Sequence, residues 1–251
     1  MDRWVGKVAV VTGASAGIGA AIAEALVKEG LLVVGFARRQ VKLEVLAKSF
    51  HGLKGKFYVK QCDVSNEEDL VAAFNWVKTE LGGIDVLVNN AGVINSRKFL
   101  DDDIPSLRNM LNVNFVATAI GTQEAVASMR SRKVPGHIIN INSVAGHVIP
   151  PLPMDISAYC STKYAVTALT ETVRKELAAA NAEIKITSLS PGFVATEILQ
   201  KASYDATVSE RFRHVPHLEP KDISDAVVYV LGTPQNVQIT ELTIRPLNEA
   251  M

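Results

Sequence analysis

Between Val8 and Glu29 the chain reads as a strand, a glycine-rich turn and a helix in immediate succession. Val8-Ala9-Val10-Val11 is an unbroken apolar run rich in β-branched residues, the pattern of a parallel strand buried on both faces. It runs into Thr12-Gly13-Ala14-Ser15-Ala16-Gly17-Ile18-Gly19, and Ala20 to Glu29 follows as a strong helix former. Glycines let backbone N–H groups come close to a phosphate, and a helix N-terminus favours its charge. The spacing G-x-x-x-G-x-G departs from the G-x-G-x-x-G fingerprint, but its place at the opening of a βαβ unit predicts a pyrophosphate cradle.

Gly30 ends that helix, and Leu31 to Ala37 is the second strand. Where NAD-binding folds usually present an acid to the ribose 2′-OH, this strand ends in Ala37-Arg38-Arg39. Two cations and no carboxylate suit a 2′-phosphate, which predicts NADP(H); the alternative is an ordinary solvated charge pair. Val41 to Phe50 reads as a helix and Lys56 to Gln61 as the third strand, leading to Cys62-Asp63-Val64. Asp63 either accepts from an adenine amino group or braces a turn. Ser65-Asn66-Glu67-Glu68 has the pattern of a capping box for a helix through about Leu81. After the break at Gly82-Gly83, Ile84 to Val88 is strand four, ending in Asn89-Asn90-Ala91-Gly92, a turn that lets a ligand approach.

Leu107 to Met129 has helical periodicity and carries Asn114, a polar residue that needs a partner if it faces the core. Pro135-Gly136 restarts the chain, His137 to Asn142 is strand five, and Ser143 follows at its carboxyl end. The segment Val144 to Ile156 holds three prolines among apolar residues and reads as a stiff apolar wall. Ser157 to Ala180 is a long helix and Ala182 to Ser190 strand six, followed by Pro191-Gly192-Phe193-Val194-Ala195-Thr196. Residues from Ile198 to Pro216 lack clear periodicity and read as a flap, within a substrate loop of about 192–218. Pro220 starts a helix to Leu231 capped by Gly232, and Val237 to Ile244 is strand seven.

The long helix carries Tyr159 and Lys163 one turn apart on one face. A phenol has a pKa of about 10, so its use as a base near neutrality needs a shift of on the order of 4 kcal/mol. A cation at ~4 to 6 Å supplies roughly 3 to 4 kcal/mol at an effective dielectric of ~20. The pair can therefore work as one acid-base device, with Ser143 sixteen residues ahead of it; the alternative is a chance pair of the kind many exposed helices carry.

At 251 residues the chain suits one domain spanning 1–251. Lys+Arg 26 balances Asp+Glu 26 with no basic run, so no nucleic acid or anionic membrane is expected as a partner. The opening Met1-Asp2-Arg3-Trp4-Val5-Gly6-Lys7 has no apolar leader, and no apolar run approaches the ~18 residues of a membrane span, so a cytoplasmic protein is expected. Cys62 and Cys160, far apart, suggest neither a metal site nor a disulfide.

From about Lys7 to Ile244 the ordered set Thr12-Gly13…Gly17-Ile18-Gly19, Asn89-Asn90-Ala91-Gly92, Asn114, Ser143, Tyr159…Lys163 and Pro191-Gly192 resembles the short, single-domain branch of the short-chain dehydrogenase/reductase family. The resemblance implies a Rossmann-like three-layer α/β fold, a seven-stranded parallel sheet with helices on both faces, and a homodimer or homotetramer. It implies a catalytic tetrad of Asn114, Ser143, Tyr159 and Lys163: Tyr159 exchanging the hydroxyl proton, Lys163 lowering its pKa and holding the nicotinamide ribose, Ser143 fixing the substrate oxygen, Asn114 holding a water that links Lys163 to solvent. Gly13, Gly17, Gly19 and Asn90 match cofactor positions, Asp63 and Val64 the adenine site and Thr196 the carboxamide end. Ser15, Ile18, Arg38, Arg39, Ala91, Gly92, Pro191, Gly192 and Val194 complete the expected NADP surface, with no metal.

Met1-Asp2-Arg3-Trp4, Ala37-Arg38-Arg39 and the Pro-rich insertion resemble, within the family, the farnesol and ketosteroid dehydrogenase branch. Val148, Ile149, Leu152, Met154, Phe193, Val194, Ile198 and Leu199 are then expected to line a pocket for a small apolar alcohol or carbonyl compound. The competing readings are a carbonyl reductase of broad aldehyde and ketone specificity, a non-catalytic NADP-sensing protein, and a nucleotide-sugar epimerase, which normally carries a larger C-terminal domain.

Overall fold

A computed structural model describes residues 1–150, 156–198 and 215–249. The strands are β1 Val8–Thr12, β2 Leu32–Ala37, β3 Lys56–Gln61, β4 Val86–Asn89, β5 Gly136–Ile141, β6 Ile184–Pro191 and β7 Glu241–Ile244. The helices are α1 Gly17–Lys28, α2 Gln40–Ser49, α3 Glu67–Leu81, α4 Ile104–Leu111, α5 Ala117–Arg132, α6 Ser157–Ala179 and α7 Pro220–Gly232. Among the described residues the strands form one seven-stranded sheet in the order β3-β2-β1-β4-β5-β6-β7, with every pairing parallel. This is the expected Rossmann-like α/β sheet.

Strand alternation divides the core into two layers. Ala9, Val11, Val86, Val88, Ile139 and Leu189 face a layer completed by Ile22 and Leu26 of α1 and Val227 and Val230 of α7. Val10, Leu87, Ile138 and Ile186 face the opposite layer, filled by Leu70 and Phe74 of α3, Met129 of α5 and Leu177 of α6. Each such fully buried side chain contributes roughly 1.5–3 kcal/mol, so the sheet is held from both sides. The order reverses between β1 and β4, and the carboxyl ends of the strands diverge there into a crevice.

Several expected boundaries move, each for a local reason. The Ser65-to-Glu68 cap shifts by one residue: the Ser65 hydroxyl donates to Asp63 Oδ1 at 2.7 Å, so Asn66 caps α3 instead, accepting from Asp69 N at 3.0 Å. Strand four begins at Val86; ahead of it Ile84 N donates to Ser128 Oγ, and the Asp85 carboxylate accepts from Val8 N. Strand seven is only Glu241–Ile244; ahead of it the Ile239 carbonyl accepts from the Thr187 hydroxyl at 2.6 Å rather than joining a ladder. Gly232 is the last residue of α7 and not a left-handed cap; the cap is Thr233 at φ −64°. The helix expected from Leu107 to Met129 is broken into α4 and α5 by a π-turn at Asn112–Val116.

Candidate active site

The crevice holds a cleft of about 540 Å³ that runs from the end of β2, past the glycine turn, to α6. Gly13 and Gly17 sit at φ +68° and +55°, where a side chain is strained. A Cβ at Gly19 would lie 2.5 Å from both Asn90 Nδ2 and Gly13 O, so the turn closes on the β4 loop only because that position is bare. Asn90 locks the same contact: its Nδ2 donates to Thr12 O at 2.8 Å, and the backbone N–H groups of Asn90 and Ala91 both donate to Thr12 Oγ1. Ala16, the N-cap of α1, makes no side-chain cap, so the first N–H groups of the helix point into the cleft. Ser15, Gly17, Ile18, Gly19, Ala91 and Gly92 all line it.

At the β2 end the charges are exposed and paired. Ser15 Oγ accepts from Arg39 Nε at 3.3 Å and Nη2 at 3.0 Å, which leaves the third guanidinium nitrogen for another partner. That nitrogen, Nη1, donates to Glu197 Oε2 at 2.9 Å, and the other Glu197 oxygen accepts from Lys42 Nζ at 2.8 Å. Lys42 and Arg39 hold the Glu197 carboxyl down at about 2. Arg38 is two-thirds exposed, with Nη1 3.9 Å from Asp63 Oδ2. Asp63 lines the cleft beside Val64, yet its Oδ1 braces the following turn through Ser65 N and Oγ.

At the α6 end the cation is buried. Lys163 is 5% exposed; its Nζ donates to Ile141 O at 2.9 Å and lies 5.6 Å from the centroid of the Tyr159 ring, on the same side of the cleft. Burial pulls the ammonium down from 10.5 to about 8. Ser143 lines the cleft at the end of β5, where its Oγ accepts from Ala145 N at 3.1 Å and keeps its own proton to donate. Residues 144–147 are tied to α6 by Thr167 Oγ1 donating to Gly146 O and by Tyr164 OH donating to His147 O, so one helix positions Ser143, Tyr159 and Lys163 together.

Asn114 stands apart from this group, 1% exposed and behind the cleft wall. Its Oδ1 accepts from Val93 N at 2.8 Å, and its two amide hydrogens go to Val93 O and Thr162 Oγ1. Thr162 Oγ1 in turn donates to Tyr159 O at 2.7 Å, so the π-turn ties the β4 loop to the turn of α6 that bears Tyr159.

The far wall is built by the loop after β6. Pro191, Gly192, Phe193, Val194, Thr196 and Ile198 line it, with Thr196 Cγ2 only 3.2 Å from where a Gly17 Cβ would be. Glu249, its side chain 2% exposed, accepts from Phe193 N at 3.0 Å and from Arg245 Nη1 at 3.0 Å. Of the expected apolar residues, Phe193, Val194 and Ile198 line the cleft and Val148 and Ile149 are exposed away from it, while Ile94, Val144, Pro150 and Ile156, not among those expected, also line it. Leu152, Met154 and Leu199 lie outside the described residues, as does most of the expected flap. Sequence reasoning missed Lys42, Glu197 and Glu249; only Lys42, one turn beyond Arg39, carried a local signal. No group of three or more His, Cys, Asp or Glu side chains placed to hold a metal occurs among the described residues.

A family model described as short chain dehydrogenase matches residues 7–207. A farnesol dehydrogenase from Aedes aegypti is 48% identical, covering 99% of both chains. The dehydrogenase/reductase SDR family member 11 of Bos taurus is 44% identical over 99% of each. Among solved structures, an alcohol dehydrogenase from the archaeon Thermococcus sibiricus, complexed with 5-hydroxy-NADP, superposes with a TM-score of 0.83 at 28% identity, covering 98% of both chains. A metagenomic short-chain oxidoreductase in complex with NADP gives a TM-score of 0.81 at 30% identity, covering 97% of this chain and 98% of that one.

Proposed function

The chain belongs to the short-chain dehydrogenase family of oxidoreductases, and from that premise we propose that it interconverts an alcohol and a carbonyl group on a small apolar substrate, using NADP(H). The observation that carries this reading is Lys163 beside Tyr159 on one wall of a cleft whose other end is a bare glycine turn flanked by arginines. The residues present fit a phosphorylated dinucleotide. The uncapped N–H groups of α1 suit the pyrophosphate, and Arg38, Arg39 and Lys42 suit the 2′-phosphate. NADP(H), when bound, supplies or accepts the hydride.

The protein's part is to move a proton and to orient. A hydride can leave a carbinol carbon only as the hydroxyl loses its proton, and Tyr159 takes it. The Lys163 ammonium beside the ring, on the same face of α6, favours the charged form of the phenol as the proton moves. Ser143, whose Oγ already accepts from Ala145 N, donates its hydroxyl proton to the substrate oxygen and holds it toward Tyr159. With both amide hydrogens engaged on protein oxygens, Asn114 acts as a positioning residue for the Tyr159 turn rather than as a side-chain water relay.

Ile94, Pro150, Ile156 and Phe193 around that end of the cleft favour an isoprenoid alcohol or a ketosteroid over a polar substrate, in keeping with a relative named for farnesol. Exposed Phe99, Leu100 and Ile104 before and within α4 support a homo-oligomer. Two buried free cysteines suit a reducing, cytoplasmic setting. The test is a screen of farnesol, geraniol, short aldehydes, diketones and ketosteroids with NADP(H) and NAD(H), read by nicotinamide absorbance. Turnover of apolar substrates with NADP(H) is expected, and a flat trace throughout would overturn the reading in favour of a nucleotide-sensing protein.

A further inference from the structure

The end of the cleft that suits a 2′-phosphate already contains a carboxylate. Glu197 comes from the loop after β6, 158 residues along the chain from Arg39, and its two oxygens bridge Arg39 Nη1 at 2.9 Å and Lys42 Nζ at 2.8 Å. Ser15 holds the Nε–Nη2 edge of the guanidinium and Glu197 holds Nη1, so all three nitrogens already have a protein partner. Among the described residues, Arg38, Arg39 and Lys42 against Asp63 and Glu197 leave this corner one net positive charge. A 2′-phosphate brings close to two negative charges.

We propose that Glu197 is an internal counter-ion of the 2′-phosphate pocket: it occupies the two cations that the phosphate must engage, and so sets how strongly the protein prefers the phosphorylated dinucleotide. The proposal rests on the reading of NADP(H) as cofactor. Held ionised by its two cations, Glu197 competes throughout the neutral range and cannot be relieved by protonation there. An adenosine ligand without the 2′-phosphate has no reason to displace it. Glu197 thus lowers affinity for one nucleotide and leaves the other alone, and Lys42 becomes a third phosphate-binding cation beside the two arginines.

Calorimetric titration with 2′,5′-ADP and 5′-AMP tests this without turnover, because neither fragment carries a nicotinamide. The native protein should prefer 2′,5′-ADP. Glu197→Gln should tighten 2′,5′-ADP by roughly three- to tenfold, the scale of losing two partly exposed ion pairs as competitors, and leave 5′-AMP within about twofold. Lys42→Met should weaken 2′,5′-ADP alone. Glu24→Gln, which removes an equal charge from the exposed Glu24–Lys28 pair on α1, should change neither. If the native protein fails to prefer 2′,5′-ADP, the NADP reading itself falls. If it does prefer it but Glu197→Gln leaves the preference unchanged or weakens it, the counter-ion role falls and the NADP reading stands.

Discussion

The two ends of the cleft both present cations, but in opposite settings. At the α6 end Lys163 is 5% exposed and its pKa is pulled down to about 8. At the β2 end Arg38, Arg39 and Lys42 have side chains that are 67%, 36% and 46% exposed and pair with carboxylates. A buried cation acts in a low dielectric, where a neighbour's pKa feels it strongly and its own desolvation costs stability. Exposed cations act through screened contacts that are individually modest and mutually replaceable. The proposed function accordingly assigns the chemistry to the first end and nucleotide selection to the second.

The largest expected effect that would break this contrast is at Lys163. Lys163→Met should lower the rate of reduction by about 10²- to 10⁴-fold, the range of a lost acid-base contribution, when the variant is assayed at saturating NADPH. It should nonetheless unfold in denaturant no more easily than the native protein at neutral pH. The sign follows from the lowered pKa: below about 8 the buried ammonium is charged at a cost, and between about 8 and 10.5 the unfolded chain binds the extra proton, so native stability rises with pH in that window. The rise, up to about 3 kcal/mol, should vanish in Lys163→Met. Equal destabilisation of that variant at every pH would erase the distinction between the two ends.

Arg39→Ala comes next: affinity for NADPH should fall about 10- to 100-fold, as for losing hydrogen bonds to a charged group, with NADH binding and the rate at saturation little changed. Smaller again is Glu249→Ala, which leaves Phe193 N–H and Arg245 without the buried carboxylate and should lower stability by about 1–3 kcal/mol. Its KM for NADPH should rise more than its kcat falls, and Glu249→Gln should restore part of both. A change in kcat alone would move Glu249 from the cofactor wall to the chemistry.

What could be read from the sequence was what is local in it. The glycine turn lies within one strand-turn-helix unit, and Tyr159 and Lys163 are four residues apart on a helix without Gly or Pro, so helical geometry alone brings them together. Strands β1, β2 and β4 were legible because burial on both faces leaves apolar runs there, whereas β3 and β7, only partly covered, lack such runs. Glu197 and Glu249 were not: the partners of Glu197 lie 158 and 155 residues away, and the Arg245 four residues before Glu249 gives no sign of its bond to Phe193 N, 56 residues away. The π-turn at Asn114 was missed as well: the side chain there pairs with Val93, 21 residues earlier, a contact that the periodicity of its own helix does not show. Val148 and Ile149 show the converse error, since apolar residues near a site need not face it.

The most direct measurement is single-turnover oxidation of NADPH by Tyr159→Phe with a substrate that the native protein reduces, alongside NADPH affinity measured by fluorescence. The account predicts that the variant binds NADPH as tightly as the native protein and turns over nothing detectable. Retained turnover at the native rate, with binding intact, would show that the proton passes through some other group.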